Sequence, residues 1–119
     1  MGGVGWVHAL TLTWEEFKKV DIRVGKVVDA QDFPEARNPS YRLTIDFGTL
    51  GTRKSSAAVR PWYAKTDLVG RHVLAVVNFP PKQIANFASE VLVLGAVQPN
   101  GEVVLLRPDR EAALGARVA

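Results

Sequence analysis

Cysteine is absent from the 119 residues. Its absence removes disulfides, thiol catalysis and thiolate metal sites together, and it fits a reducing compartment. Imidazole is nearly as scarce: His8 and His72 are the only two histidines. They stand far apart, without the His/Glu/Asp spacing of a zinc site, so no metal is expected. No apolar run is long enough to cross a membrane, and the stretch 73–77 has the length of a buried strand. Met1-Gly2-Gly3-Val4-Gly5-Trp6 lacks a basic n-region, a continuous apolar segment and a small-residue cleavage site. Trp6 also stands where a myristoylation signal has Ser or Thr. The expected compartment is therefore the cytoplasm.

What is present is an ordinary globular mixture, 47% hydrophobic and 23% charged, of a length that suits one domain over residues 1–119. The net charge of +3 is unevenly placed. Between Phe47 and Ser89 lie Arg53, Lys54, Arg60, Lys65, Arg71 and Lys82 against a single acid, Asp67. A basic middle of this kind suits a phosphate-rich partner, and a solvated basic surface accounts for it equally well.

The pattern predicts strands, with a short helix before them. Thr13 with Glu16 three residues later forms a capping box, and Leu12 and Phe17 occupy the positions of a hydrophobic staple. A strand over 21–30 carries Gly25, expected to mark a bulge or bend. Residues 33–40, with Pro34 and Pro39, read as a loop. Residues 41–47 alternate Tyr41, Leu43, Ile45 and Phe47 against Arg42, Thr44 and Asp46. Gly48 to Gly51 connects to a third strand over 52–59, and Pro61 opens a helical turn to Lys65. The most apolar strand spans 72–79, a polar loop 80–89, and a fifth strand 90–97. Asn100-Gly101 predicts a two-residue hairpin joining Val97 to Val103. Five core strands with a helix between the third and fourth is the layout of the all-β OB-fold Greek-key barrel. Extensions over 1–20 and 107–119 flank it. A generic small β-barrel or sandwich shares the strand count.

Catalytic machinery is not legible. Residues 48–55 resemble a P-loop, but Arg53 replaces the glycine before Lys54, and the segment joins strand to strand. Ser55 and Ser56 have no base assigned by any arrangement of histidine, lysine or carboxylate. No enzymatic activity and no cofactor are expected; function must come from binding.

Three stretches carry a family resemblance. Val20-Asp21-Ile22-Arg23-Val24-Gly25-Lys26-Val27 resembles the opening strand of the tRNA-binding domains attached to methionyl-tRNA synthetases. Residues 70–84, ending Asn78-Phe79-Pro80-Pro81-Lys82-Gln83-Ile84, and the run from Ser89 to Gly95 continue the likeness. Phe33-Pro34-Glu35-Ala36-Arg37 and Ser55-Ser56-Ala57 resemble most closely the CsaA branch of that family, the export-related chaperones. In the synthetase branch the loop after the Asn-Leu-Lys-Pro motif is basic and contains methionine. Here Asn78 to Phe87 keeps Lys82 and is otherwise largely apolar.

The resemblance implies an OB-fold homodimer that binds unfolded or precursor polypeptides and works with the export motor. The alternative it implies is a structure-specific tRNA-binding protein acting in trans, without membrane insertion in either case. A scaffold docking onto a synthetase or translocase is a third class. OB-folds bind on strands 2 and 3 and the loops joining strands 1–2 and 4–5. Here that surface offers Arg37, Arg42, Arg53, Lys54 and Lys82 for phosphates, with Ser56, Asn78 and Ser89 for hydrogen bonds. Phe33, Phe79, Ile84 and Phe87 are the candidates for a peptide groove, or for stacking unpaired bases. Phe33 and Phe79 are expected to pack the barrel mouth, and Ile84 and Phe87 to be exposed. Asn78 is expected either to meet ligand or to tie down its own loop. The apolar segments 4–12 and 114–118 exceed what a small barrel needs, and so point to a dimer.

Overall fold

A computed structural model describes residues 10–119, and its order of elements follows from the alternation of side chains. Strand β1 (Ile22–Asp32) pairs antiparallel with β2 (Tyr41–Asp46), and β2 with β3 (Thr52–Ala57). Strand β2 is the cleanest case: Tyr41, Leu43 and Ile45 are buried while Arg42, Thr44 and Asp46 are only half-buried. The first half of β1 pairs instead with β4 (His72–Val76), which pairs with β7 (Leu92–Val93). The sheet order is therefore β3-β2-β1-β4-β7.

One strand serving two neighbours has to bend, and the bend is a bulge at Val28. Val27 opposes Ile45, but the next pair is Asp29 with Thr44. The expected bulge at Gly25 is thus displaced by three residues. Gly25 has a different reason to be glycine: a Cβ there would lie 2.5 Å from Ile45 Cγ2 and 2.7 Å from the Phe47 ring.

Closure of the barrel rests on side chains. The outer edge of β3 meets residues 89–91, where no regular ladder forms. Lys54 N–H donates to the Glu90 carboxylate at 2.8 Å, and Glu90 N–H to the Lys54 carbonyl at 2.8 Å. Ser56 N–H donates to Ser89 Oγ at 3.0 Å, and Ser55 Oγ to the Val91 carbonyl at 2.9 Å. The space enclosed is filled by Val27, Leu43, Ile45, Phe47, Val73, Val91 and Leu105, with Leu68 of helix α2 (Lys65–Leu68) plugging one end. Helix α2 starts where the predicted turn 61–65 ends, with Asp67 accepting from the Ala64 N–H at 2.8 Å.

Two predicted loops are structured differently. Residues 80–89 form a hairpin, β5 (Lys82–Ile84) with β6 (Phe87–Ser89), turning at Ala85 with φ of 52°. Strands β8 (Gly95–Val97) and β9 (Val103–Leu105) do pair as expected. Their turn is longer than two residues: Gly101 N–H returns to Gln98 O, and Gln98 N–H to Glu102 O. Pro99 holds φ near −65° and only Gly101 has positive φ, 88°. That excludes the primed turn read from Asn-Gly and leaves a turn with a glycine bulge.

Helix α1 (Trp14–Lys18) has the predicted capping box: Glu16 N–H donates to Thr13 Oγ1 at 3.1 Å, and Thr13 N–H to Glu16 Oε1 at 3.0 Å. The Thr13 N–H, and after it the Thr13 hydroxyl, hold the Glu16 carboxyl below the ordinary carboxylate value. The contribution of this cap is present above the ordinary value and is lost as pH falls through the lowered one. Asn78 anchors the helix exit: its side chain accepts from Asp21 N–H at 3.0 Å and donates to Lys19 O at 2.6 Å. The tail pairs with the part of β1 that β2 does not reach, through Gly115 N–H to Val24 O, Val24 N–H to Ala116 O and Val118 N–H to Ile22 O.

Two stability predictions follow from these contacts. Glu90→Ala removes the charged acceptor of the Lys54 N–H and should cost about 1–2 kcal/mol in urea denaturation. An unchanged midpoint would mean that the barrel does not depend on this clasp. Asn78→Ala loses two backbone bonds and should cost about 1 kcal/mol; parental stability would show that the helix exit is held by other means.

Candidate binding site

The hairpin β5–β6 stands on the β3 edge and divides the expected binding surface in two. On one side it faces the 33–40 loop across a groove of about 680 Å³ lined by Arg37, Asn38, Ser40, Ser56, Ala58, Lys82, Gln83 and Ile84. Two cations and no carboxylate line this groove, so its chemistry favours anions. Arg37 and Lys82 are exposed and carry no ion pair among the described residues.

On the other side is an apolar pocket of about 300 Å³ lined by Phe79, Pro80, Lys82, Ser89, Glu90, Val91 and Leu92. Phe79, expected to pack the barrel mouth, is instead 55% exposed there, and Leu92 is 49% exposed. Leu92 escaped sequence reading because Val91-Leu92-Val93-Leu94 is uniformly apolar. Only the pairing of Leu92 with Val76 and of Val93 with Ala75 shows which residues turn outward.

Beneath the hairpin the aromatic expectations change places. Phe87, expected exposed, is buried at 8%, and Phe33 is buried as expected at 1%. Their rings meet edge to face with centroids 5.4 Å apart. The Arg42 guanidinium carbon lies 5.3 Å from the Phe33 centroid and 6.0 Å from that of Phe87. Arg42 is half-buried under the hairpin and is not a lining residue of the groove, and its Nε is buried without a hydrogen-bond partner. Ile84 is half-buried at the groove wall.

The remaining predicted contacts scatter. Arg53 and Lys54 are exposed on β3 beyond the groove lining, and Arg53 Nη1 is turned back to Thr52 O at 3.2 Å. Ser89 is buried, with its Oγ accepting from Ser56 N–H, so it belongs to the clasp. Asn78 is occupied at the helix exit, and it holds a neighbouring segment instead of its own loop. Among the described residues no group of three or more His, Cys, Asp or Glu side chains is placed to hold a metal. No helix among them is long and apolar enough to cross a membrane.

A third surface was not anticipated. Val73, Ala75, Val93, Val103 and Leu105 point into the core, so their alternating neighbours Leu74, Leu92, Leu94, Val104 and Leu106 stand on the outer face. Val104 is 41% and Leu106 38% exposed. Helix α1 buries none of its residues; Trp14 in it is 78% exposed, and Leu12 just before its cap is 61% exposed.

Comparison with known proteins agrees with this architecture. Residues 22–117 match the family described as a tRNA binding domain. The methionine–tRNA ligase of Thermococcus onnurineus is 41% identical over 88% of this chain, which spans only 14% of that enzyme's length. The chaperone CsaA of Bacillus anthracis is 48% identical and superposes with a TM-score of 0.88, over 92% of this chain and 100% of that one. The CsaA chaperone protein of Picrophilus torridus is 49% identical with a TM-score of 0.86, again over 92% and 100%. The barrel, its terminal extensions and the extent of these matches together place the chain in the tRNA-binding-domain family, in its CsaA branch.

Proposed function

We propose that this protein is a non-catalytic, cytoplasmic, dimeric chaperone that captures exposed apolar stretches of unfolded or precursor polypeptides, in the export role that its resemblance implies. The observation that carries the reading is the apolar pocket with Phe79 at its mouth. A rigid aromatic beside Pro80, Val91 and Leu92 offers burial to any large apolar side chain without demanding a sequence. The similarity to CsaA chaperones at 48–49% identity supports the same function.

A second reading, binding of tRNA, is favoured by the groove on the far side of the hairpin. Arg37 and Lys82 face Ser56, Asn38 and Ser40 with no acid among them, which suits a phosphodiester backbone. The match to a tRNA-binding domain supports it. The two readings use different surfaces, so one chain can carry both.

The unanticipated apolar face supports the dimeric reading. An N-terminal segment with Leu12 and Trp14 exposed and a sheet face with Val104 and Leu106 exposed beside half-buried Leu94 are complementary needs in one chain. A two-fold arrangement in which each helix covers the partner's sheet satisfies both at once. It also gives two pockets per particle, which raises avidity for a long chain.

Phe79→Ser should weaken suppression of client aggregation and peptide binding by about 1–3 kcal/mol while leaving tRNA binding unchanged. Parental capture of unfolded protein by this variant would remove the pocket from the function. Arg37→Ala with Lys82→Ala should weaken tRNA binding and flatten its salt dependence by roughly two contacts; identical curves at every salt concentration would remove the groove. Light scattering should give twice the chain mass at micromolar concentration, and Val104→Glu should shift it toward the monomer. A monomeric parent protein would contradict the assembly.

A further inference from the structure

A second cationic concavity shares no residue with the groove or with the apolar pocket. It encloses about 400 Å³ between the entry to β4 and the segment that follows β9. The first supplies Arg71 and His72; the second supplies Arg107, Asp109, Arg110 and Glu111. Among the described residues, neither the three guanidiniums nor the two carboxylates take part in an ion pair.

Arg71 is fixed from its backbone outward. Its N–H donates to Leu68 O at 2.9 Å, and its carbonyl accepts from Val27 N–H at 2.9 Å. Gly70, with a φ of 91°, turns the chain into this position. Arg71 Nε donates to Asp67 O at 3.1 Å, and the guanidinium carbon lies 5.1 Å from the Tyr63 centroid. That ring is held in turn, because Tyr63 Oη accepts from Leu105 N–H at 3.1 Å. What remains of Arg71 is a fork: Nη1 and Nη2 have no partner among the described residues. A planar guanidinium already oriented in this way suits two oxygens of one phosphate. His72, half-buried beside it, adds a ring nitrogen, and Arg107 and Arg110 are exposed at the rim.

The charges on the rim discriminate among anions. Asp109 and Glu111 are exposed beside the two rim arginines. A phosphodiester chain crossing here would bring its neighbouring phosphates against those carboxylates, a repulsion that the acid-free groove does not impose. A compact phosphate brings its whole charge, close to two at neutral pH, to the fork alone. We propose that this concavity binds a compact phosphate dianion, free or as the monoester of a small molecule, with Arg71 as the fork that receives it and Arg107 and Arg110 flanking it. The site is separate from the polypeptide and RNA surfaces and stands without either.

Amide NMR of the labelled full chain, titrated at constant ionic strength with inorganic phosphate, adenosine 5′-monophosphate or adenosine, tests the site. Phosphate and the monophosphate should shift Gly70, Arg71, His72 and residues 107–111 saturably, and adenosine should shift none of them. Tighter binding of the monophosphate assigns the site to monoesters, and equal binding assigns it to free phosphate. Arg71→Ala should weaken both by roughly 10- to 100-fold. That variant also loses the Tyr63 and Asp67 contacts, so Arg107→Ala with Arg110→Ala accompanies it. Those two guanidiniums make no hydrogen bond or ion pair among the described residues. The double variant should keep the parental melting temperature and bind phosphate about 2- to 10-fold more weakly. Shifts that never saturate and that chloride reproduces would show screening only and overturn the proposal, as would parental affinity in both variants. A short RNA with hydroxyl termini should leave residues 70–72 unmoved; saturable shifts there would make the cluster part of an RNA surface and overturn it too.

Discussion

The edge of β3 is where this small barrel has to solve its hardest problem. A five-stranded sheet can curl only so far before its first and last strands must meet, and here they meet over residues 89–91 without a continuous ladder. The Ser89 hydroxyl and the Glu90 carboxylate accept two of the β3 N–H groups, and Ser55 returns one bond to Val91. Side chains thus stand in for backbone acceptors at Lys54 and Ser56, so this stretch of the β3 edge is not left bare. The same clasp carries the base of the β5–β6 hairpin, so the contacts that close the barrel also position the candidate site.

The hairpin held by that clasp contributes residues to two linings of different chemistry, one cationic and one mainly apolar. Cations facing an open groove hold phosphate best when no apolar group must be dehydrated beside them. The pocket on the other side is mainly apolar, with Glu90 and Lys82 at its border. Lys82 sits at the boundary and lines both. Its long stem can cover apolar surface while its ammonium stays in water, so one residue is compatible with either neighbour. Arg42, below, lies against the Phe33 and Phe87 rings with its Nε buried and without a hydrogen-bond partner.

Most of the barrel was legible in the sequence because it follows alternation. Tyr41, Leu43 and Ile45 against Arg42, Thr44 and Asp46 could be assigned to faces from spacing alone, as could the capping box at Thr13. What could not be read depends on contacts distant in sequence. The bulge fell at Val28, where nothing local marks it, while Gly25 answers to Ile45 and Phe47 across the sheet. Phe87 lies between polar residues and looked exposed, yet Phe33, more than fifty positions earlier, buries it. Ser89 and Asn78 had the chemistry of ligand contacts and turned out to be spent on backbone groups of β3 and of the 19–21 segment. A polar side chain in a predicted loop carries no mark in the sequence of whether its partner is a ligand or its own chain.

The central claim is that polypeptide and RNA meet opposite sides of one hairpin. Amide NMR of the labelled protein tests it most directly, with an apolar peptide titrated into one sample and a short RNA stem-loop into another. The account predicts that peptide shifts Phe79, Glu90 and Leu92, whereas RNA shifts Arg37, Asn38 and Ser56. A common set of shifted residues for both ligands, or peptide shifts confined to the Arg37 side, would contradict it.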